Sequence, residues 1–546
     1  MTDSSWYDDL GRRAFLAGVV GATVTACTPG SASTTDPTTG PTTGQPLPVP
    51  ASTSGSPTGT ATPPSSTSTT ATPAAIAALR GAIGGAVVLP GDSGYAAAAR
   101  LFNPRFDGAH PVAVAYCTTD DDVRRCVDAA RADGVRPIPR AGGHSYAGYS
   151  TGAGLVIDVT GIRTVERDPS IAYVGGGARL FDVYKTLGPM NVGIPAGSCP
   201  TVGVAGFTLG GGLGIEAREF GLTADRLLAV DVVLASGDLV TATARDHADL
   251  FWACRGGGGG NFGIATRFTF QTHPTADFTR WQLRWPWAAA ADVLQGWSGW
   301  VAGSPRQLVT AVNCSSTASS AKSSAKPSVT IFGVLRGSPA HAQSLMAELA
   351  KAIGVTPIAT FRRTASHDAT VRQLAGCSEL TDSQCDAYSG SGAGIPRQAY
   401  AAGSDLLRAR LTPAAAQAVV QAIDDRQARH LQTGTFLIDS LGGAIDDVAP
   451  DATAYPHRGA IASLQYLANW EATDRAAVVA SNLAWFAATK AALAPHLSGD
   501  AYVNYIDPDR KDWRTAYYGA NYDKLLSVKS TYDPDRLFSF PQAIGA

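Results

Sequence analysis

Charge is scarce in this chain. Charged residues make up 16% of its 546 positions, against the roughly one quarter usual for soluble proteins, and the formal net charge is −2. No basic block or stripe occurs, so the electrostatic footprint of a nucleic-acid partner is missing. Residues 28–73 hold a single charge, Asp36, and are almost entirely Ser, Thr, Pro, Gly and Ala. Such a stretch cannot bury enough apolar surface to offset ordering, and it is expected to be a disordered tether averaging roughly 35–40 Å end to end. The apolar run that precedes it ends at Ala26 and is broken by Gly18, Gly21, Thr23 and Thr25. It falls short of the ~20 apolar residues a permanent bilayer span needs. No metal-ligand set is read from the chain.

What stands at the N-terminus is a processing signal over 1–27. Arg12-Arg13-Ala14-Phe15-Leu16 is a twin-arginine export pattern. Val24-Thr25-Ala26-Cys27 resembles a bacterial lipobox, which would make Cys27 a membrane lipid anchor; simple cleavage after Ala26 is the alternative. The expected location is extracytoplasmic.

Glycine is abundant, and two loops concentrate it. Residues 196–214, AGSCPTVGVAGFTLGGGLG, carry Cys199; residues 140–148, RAGGHSYAG, carry His144. Glycine is used where a Cβ would block close approach or where φ must be positive, so backbone can lie against a flat or phosphorylated ligand. Gly210–Gly212 suggest a dinucleotide fingerprint, but that motif follows a hydrophobic strand. Here a cysteine-bearing loop precedes it, and the Rossmann reading fails. A thiolate is a soft nucleophile and a neutral imidazole can add to an electrophilic ring carbon. Taken singly, either residue could equally be structural.

Together these motifs resemble the berberine-bridge-enzyme-like flavoprotein oxidases, over roughly 100–275 and again 435–541. The resemblance implies an α+β chain: a two-subdomain PCMH-type FAD-binding domain over 74–276 and an α/β substrate domain with an antiparallel sheet over 277–500. Residues 501–546 would be a berberine-bridge-type segment returning to the FAD domain. It also implies FAD held by two covalent bonds, His144 to the 8α carbon of the isoalloxazine and Cys199 to C6. Cofactor contacts carried over are Arg140, Gly142, Gly143, Ser145, Gly197, Val202, Gly203, Gly206, Gly210, Gly212, Gly263, Ile264 and Asn504. Gly263 and Ile264 close the stretch LFWACRGGGGGNFGI at 250–264, which in relatives covers the FAD diphosphate and flavin edge. Val202, third after the anchoring cysteine, is the residue that in the family leaves room for dioxygen. Twin-arginine export carries folded proteins, which suits a cofactor attached before crossing.

Along the chain, a helix is expected at about 74–82, strands at 111–116, 136–140 and 154–158, and a helix over 119–133 with Asp120–Asp122 in its first turn. Ser236-Gly237-Asp238 reads as a hairpin turn. Alternation at 280–287 and 329–335 predicts strands with one buried face, and 341–353 and 413–426 amphipathic helices. Trp281, Trp285, Trp287, Trp297 and Trp300 are expected in a core. Cys117 and Cys126 read as buried thiols. Cys377 and Cys385 bracket a polar loop and, in an exported protein, either pair or stay reduced.

The chemistry is expected from AYVNYIDP at 501–508. The resemblance makes Tyr505 the base that takes a hydroxyl proton while a hydride passes from the adjacent C–H to the flavin, with Tyr502 nearby. A free phenol titrates near 10, so such a base needs assistance. Asp439, just before Gly442-Gly443, holds the place of the aspartate that assists it in related sugar oxidases, and Gln465 is a substrate-hydroxyl contact. No glutamate lies between Thr433 and Asn469, where some plant relatives place their base. The leading expectation is an oxidase acting on a hydroxyl of a carbohydrate, such as an oligosaccharide, or of another small molecule of secondary metabolism, with dioxygen giving hydrogen peroxide. Oxidative cyclisation or amine oxidation of a natural product, and a non-catalytic glycan-binding surface lipoprotein, remain alternatives.

Overall fold

The computed structural model describes residues 72–317, 326–389 and 394–546. The export signal, the lipobox and all but the end of the tether lie outside the described residues.

The chain opens on a four-stranded sheet in the order Val87–Val88, Ala113–Tyr116, Leu155–Asp158, Pro137–Arg140. The last three strands are parallel. Parallel strands are covered on both faces, and Ala-Val-Ala-Tyr and Leu-Val-Ile-Asp are correspondingly apolar up to the closing Tyr116 and Asp158. The crossover helix Asp120–Ala132 starts at Thr119, whose hydroxyl accepts the Asp122 N–H, and three aspartates in its first turn complement the helix dipole. Cys117 and Cys126 are both fully buried here, sulfurs 3.7 Å apart. Pro137–Arg140 then delivers the histidine loop.

A second, antiparallel sheet follows in the order Val165–Asp168, Ile171–Gly175, Ile264–Gln271, Leu227–Val233, Leu239–Thr243. Its 236–238 turn carries Gly237 at φ 90°, a left-handed conformation suited to glycine. The cysteine loop leaves strand Val192–Gly193 and enters the short helix Val204–Leu209. The C-terminal helices Trp513–Tyr518 and Tyr522–Tyr532 pack Trp513, Tyr518 and Leu525 into the same core as Trp252 and Phe262. The buried Lys529 ammonium fixes this return by donating to the carbonyls of Asn261 (2.5 Å) and Phe538 (2.7 Å) and to Asp533.

The third sheet has seven antiparallel strands. Their order is Ala359–Ala365, Phe278–Trp285, Ser328–Arg336, Leu308–Ser315, Gly434–Ser440, Ala462–Trp470, Ala399–Leu407. One face is covered by helices Ala290–Trp300, Pro339–Ile353, Pro413–Ala428 and Ala476–Leu493. Trp281, Trp285 and Trp297 are buried on this side, and the indoles of Trp285 and Trp297 donate to Val355 O and Thr310 Oγ1. These three tryptophans are core, as their spacing suggested, while Trp287 and Trp300 are half-buried at its edge. Because strand side chains alternate, neighbouring residues point to opposite faces and residues two apart share one. Ala311, Phe332, Leu437, Asp439 and Gln465 thus share the opposite face, which forms one wall of a cavity against the FAD-binding sheets.

Candidate active site

The cavity, about 350 Å³, runs between the histidine and cysteine loops, the 258–264 loop and the large sheet. The two motif loops meet where Gly142 and Gly203 oppose each other backbone to backbone, and a Cβ on either would strike the other. Close packing of chain against chain is what these two glycines permit. Gly206 has open space where its Cβ would stand and lines the cavity, as do Gly143, Gly197 and Gly263. Gly210 and Gly212 do not line it: a Cβ there would hit Asn504 and Thr223, so their contribution is packing behind the wall.

His144 stacks on Phe102 with ring centroids 4.1 Å apart, and its Nε2 lies 2.9 Å from Thr201 Oγ1. Burial and the nearby Arg179 guanidinium push its pKa down to about 3, so the ring is neutral and keeps a nucleophilic lone pair. Cys199 is enclosed rather than exposed, at 6% accessibility. Burial drives its thiol up to about 11, against partial relief from Thr201 and the Val202 N–H. Its sulfur lies 4.0 Å from the Thr201 hydroxyl.

Arg140 forms a buried ion pair with Asp158, Nε to Oδ2 2.5 Å, while its Nη1 is buried without a hydrogen-bond partner. An orphaned guanidinium N–H in a cavity wall is costly unless a ligand completes it. That orphan, the glycine-lined wall at Gly206, and a neutral imidazole and a thiol that both reach the Thr201 hydroxyl all fit FAD. Ser145 and Ile264 also line the cavity; Ser145 Oγ accepts the Tyr149 N–H. Asn504 Nδ2 donates to Phe207 O and to the Tyr502 oxygen, tying the Y-x-N-Y segment to the helix after the cysteine loop. The Tyr502 oxygen also accepts the Gly212 and Leu213 N–H groups. With three donors on it, the Tyr502 oxygen ties the glycine loop to the segment that carries its neighbour.

That neighbour, Tyr505, stacks on Tyr146 at 5.5 Å and 11° and meets Tyr502 edge-on at 5.1 Å. Gln465 Nε2 donates to the Tyr146 hydroxyl at 2.8 Å, and Tyr146 sits edge-on to Tyr400. Burial, with the Asp439 charge adding to it, holds the Tyr505 phenol well above its ordinary 10. Burial likewise raises the Asp439 carboxyl to about 7. Tyr146, Thr201 and Phe102 were not singled out in the sequence. The first two lie inside the quoted motifs; Phe102 carried no signal, being placed by the fold.

The 377–385 loop lies beside Cys199: Cys377 and Cys385 are joined in a disulfide, and both pack in one cluster with Phe102, Phe181, Cys199 and Tyr400.

Comparison with known proteins bears on this site. An FAD binding domain model matches residues 111–243, and a model described as berberine and berberine like matches 501–545. The chain is 30% identical to the FAD-linked oxidoreductase YgaK of Bacillus subtilis, covering 84% of this chain and 96% of that one. It is 29% identical to a xylooligosaccharide oxidase of Thermothelomyces thermophilus (80% and 87% covered) and 31% to an aclacinomycin-N/aclacinomycin-A oxidase of Streptomyces galilaeus (80% and 86%). Its fold matches Physcomitrella patens BBE-like 1 with a TM-score of 0.77 at 28% identity, covering 86% of this chain and 98% of that one. Fold and site thus define an FAD-linked oxidoreductase. Within that class, the chain belongs to the berberine-bridge-enzyme-like family. The non-catalytic reading is set aside.

Proposed function

We propose that this enzyme is an exported oxidase that carries FAD on two covalent bonds and oxidises a hydroxyl of a small molecule. The observation that carries the reading is a single cavity lined by His144 and Cys199 together with Tyr505, Asp439 and Gln465. FAD supplies the two-electron acceptor for the alcohol C–H and, with dioxygen as final oxidant, yields hydrogen peroxide.

His144 and Cys199 would hold the ring system, Arg140 would offer its unpaired N–H, and Val202 on the cavity wall would leave room for dioxygen. Tyr505 takes the hydroxyl proton. Its own phenol is too weak an acid to stand ionised, so it accepts that proton as it passes its own toward the Asp439 carboxylate. Gln465 fixes the Tyr146 hydroxyl, and the Tyr146 ring fixes Tyr505. The cavity walls fix the geometry of the transfer.

Export rests on Arg12-Arg13 and the run to Ala26, with Cys27 as lipid anchor or mature terminus. The Cys377–Cys385 disulfide supports an oxidising compartment.

Intact-mass analysis of native, flavin-replete protein tests the attachment: an adduct that survives denaturation, lost stepwise in His144→Ala and Cys199→Ala, is expected. Folded yellow protein that releases all its flavin on denaturation would overturn it.

A further inference from the structure

The part of the large sheet that faces the cavity has a definite pattern. Cross-strand pairing sets Asp439 directly beside Ala311, and Ala311 beside Phe332. In the adjoining row Val309 pairs with Val334, and on the other side Leu437 pairs with Gln465. All of these line the cavity. Neighbouring strands lie 4.7–4.9 Å apart, so Phe332, two strands from Asp439, extends this surface about 10 Å from the reacting end.

Among the sheet residues that line the cavity, polar side chains stand only at one edge of the patch; Asn313, Thr330 and Gln282 share the sheet face but do not line the cavity. Asp439 is there with Tyr505, and the Gln465 amide already donates to Tyr146. Val309, Ala311, Phe332, Val334 and Leu437 offer no donor or acceptor, and the backbone groups beneath them are engaged in the sheet ladder. A sugar chain laid on this surface would present several hydroxyls per ring to groups that cannot answer them, each costing free energy. A flat apolar ring system would instead bury its surface against Phe332, Leu437 and the valines.

We propose that the substrate is an alcohol whose reacting carbon is carried on a flat, apolar fused or aromatic ring system of about two to three rings, rather than a free oligosaccharide. This rests on the alcohol-oxidase reading above. The reacting hydroxyl lies at Tyr505 and Asp439, and the ring system lies along Ala311, Phe332, Val309 and Val334. The substrate alcohol loses two electrons and two protons to become a ketone or aldehyde, and dioxygen gains them as hydrogen peroxide.

The test mixes flavin-replete enzyme anaerobically with 1-indanol, 1-tetralol and 9-hydroxyfluorene, and separately with cellobiose, xylobiose and diacetylchitobiose, following bleaching of the flavin absorbance. The ring alcohols are expected to bleach it with kcat/KM about tenfold or more above any sugar, the scale on which such a pocket discriminates. Leu437→Gln should narrow that ratio by lowering turnover of the ring alcohols and raising that of the sugars. Sugars bleaching better than every ring alcohol would overturn the substrate assignment and leave the alcohol-oxidase reading intact. Bleaching by neither group, with flavin still reducible by dithionite, would overturn both.

Discussion

The hydroxyl of Thr201 lies 2.9 Å from His144 Nε2 and 4.0 Å from the Cys199 sulfur, so one side chain touches both residues expected to anchor the flavin. With the imidazole neutral, a proton on Nε2 directed to Thr201 leaves the other nitrogen free to form a bond, and the Thr201 O–H can then face the sulfur.

Thr201→Val should therefore lower the fraction of protein carrying a denaturation-resistant flavin several-fold, and Thr201→Ser should restore it. Intact mass and the absorbance of acid-precipitated protein read this directly. An unchanged fraction in the valine variant would remove Thr201 from the attachment chemistry.

Tyr505→Phe keeps the ring that stacks on Tyr146 and removes the proton acceptor. The expected outcome is loss of turnover by about 10²–10⁴-fold with flavin content unchanged. Steady-state peroxide release and the flavin spectrum measure the two parts.

The Asp439 carboxyl, raised to about 7 by burial, is a usable proton acceptor only above that pH. Below pH 7, kcat/KM should fall about tenfold per unit, and Asp439→Asn should flatten this limb. Folding linkage runs in the opposite direction. A carboxyl that titrates near 7 when folded and at 3.8 when free costs stability progressively from about pH 4 to 7, and the cost persists above. Asp439→Asn should consequently raise Tm more at pH 8 than at pH 4, which thermal scans at the two pH values check.

Reduction of the Cys377–Cys385 disulfide reopens a short loop packed in one cluster with Cys199. A cross-link over eight residues contributes about 2.5 kcal/mol on chain-entropy grounds. Chemical denaturation of Cys377→Ser/Cys385→Ser should show a loss of that order.

Val202→Ile, on the cavity wall, should slow reoxidation by dioxygen several-fold while leaving anaerobic flavin reduction unchanged, as stopped-flow traces would show.

Much of this was legible in the primary sequence where local signals coincide. Thr119 and the aspartates after it announce a helix start, and the alternation of 329–335 announces a strand. The histidine, cysteine and Y-x-N-Y motifs brought three distant segments to one cavity before any coordinates. Less legible was what each glycine is for: Gly206 faces the cavity, while Gly210 makes room for Asn504, almost 300 residues away. Residue type alone does not tell Tyr502 from Tyr505, yet loop N–H groups occupy only the first. The environment of Cys199 was not legible either, because the enclosure that raises its pKa is built in part from 377–400.

The Lys529 contacts carry a consequence for biosynthesis. The 258–264 loop is tied down by an ammonium donating to Asn261 O, and the Asn261 amide oxygen accepts the Ile544 N–H. The loop expected to cover the FAD diphosphate therefore gains its full set of ties only once residues near 544 are in place. Cofactor loading is then expected late in synthesis, and a chain truncated before these residues is expected to load poorly.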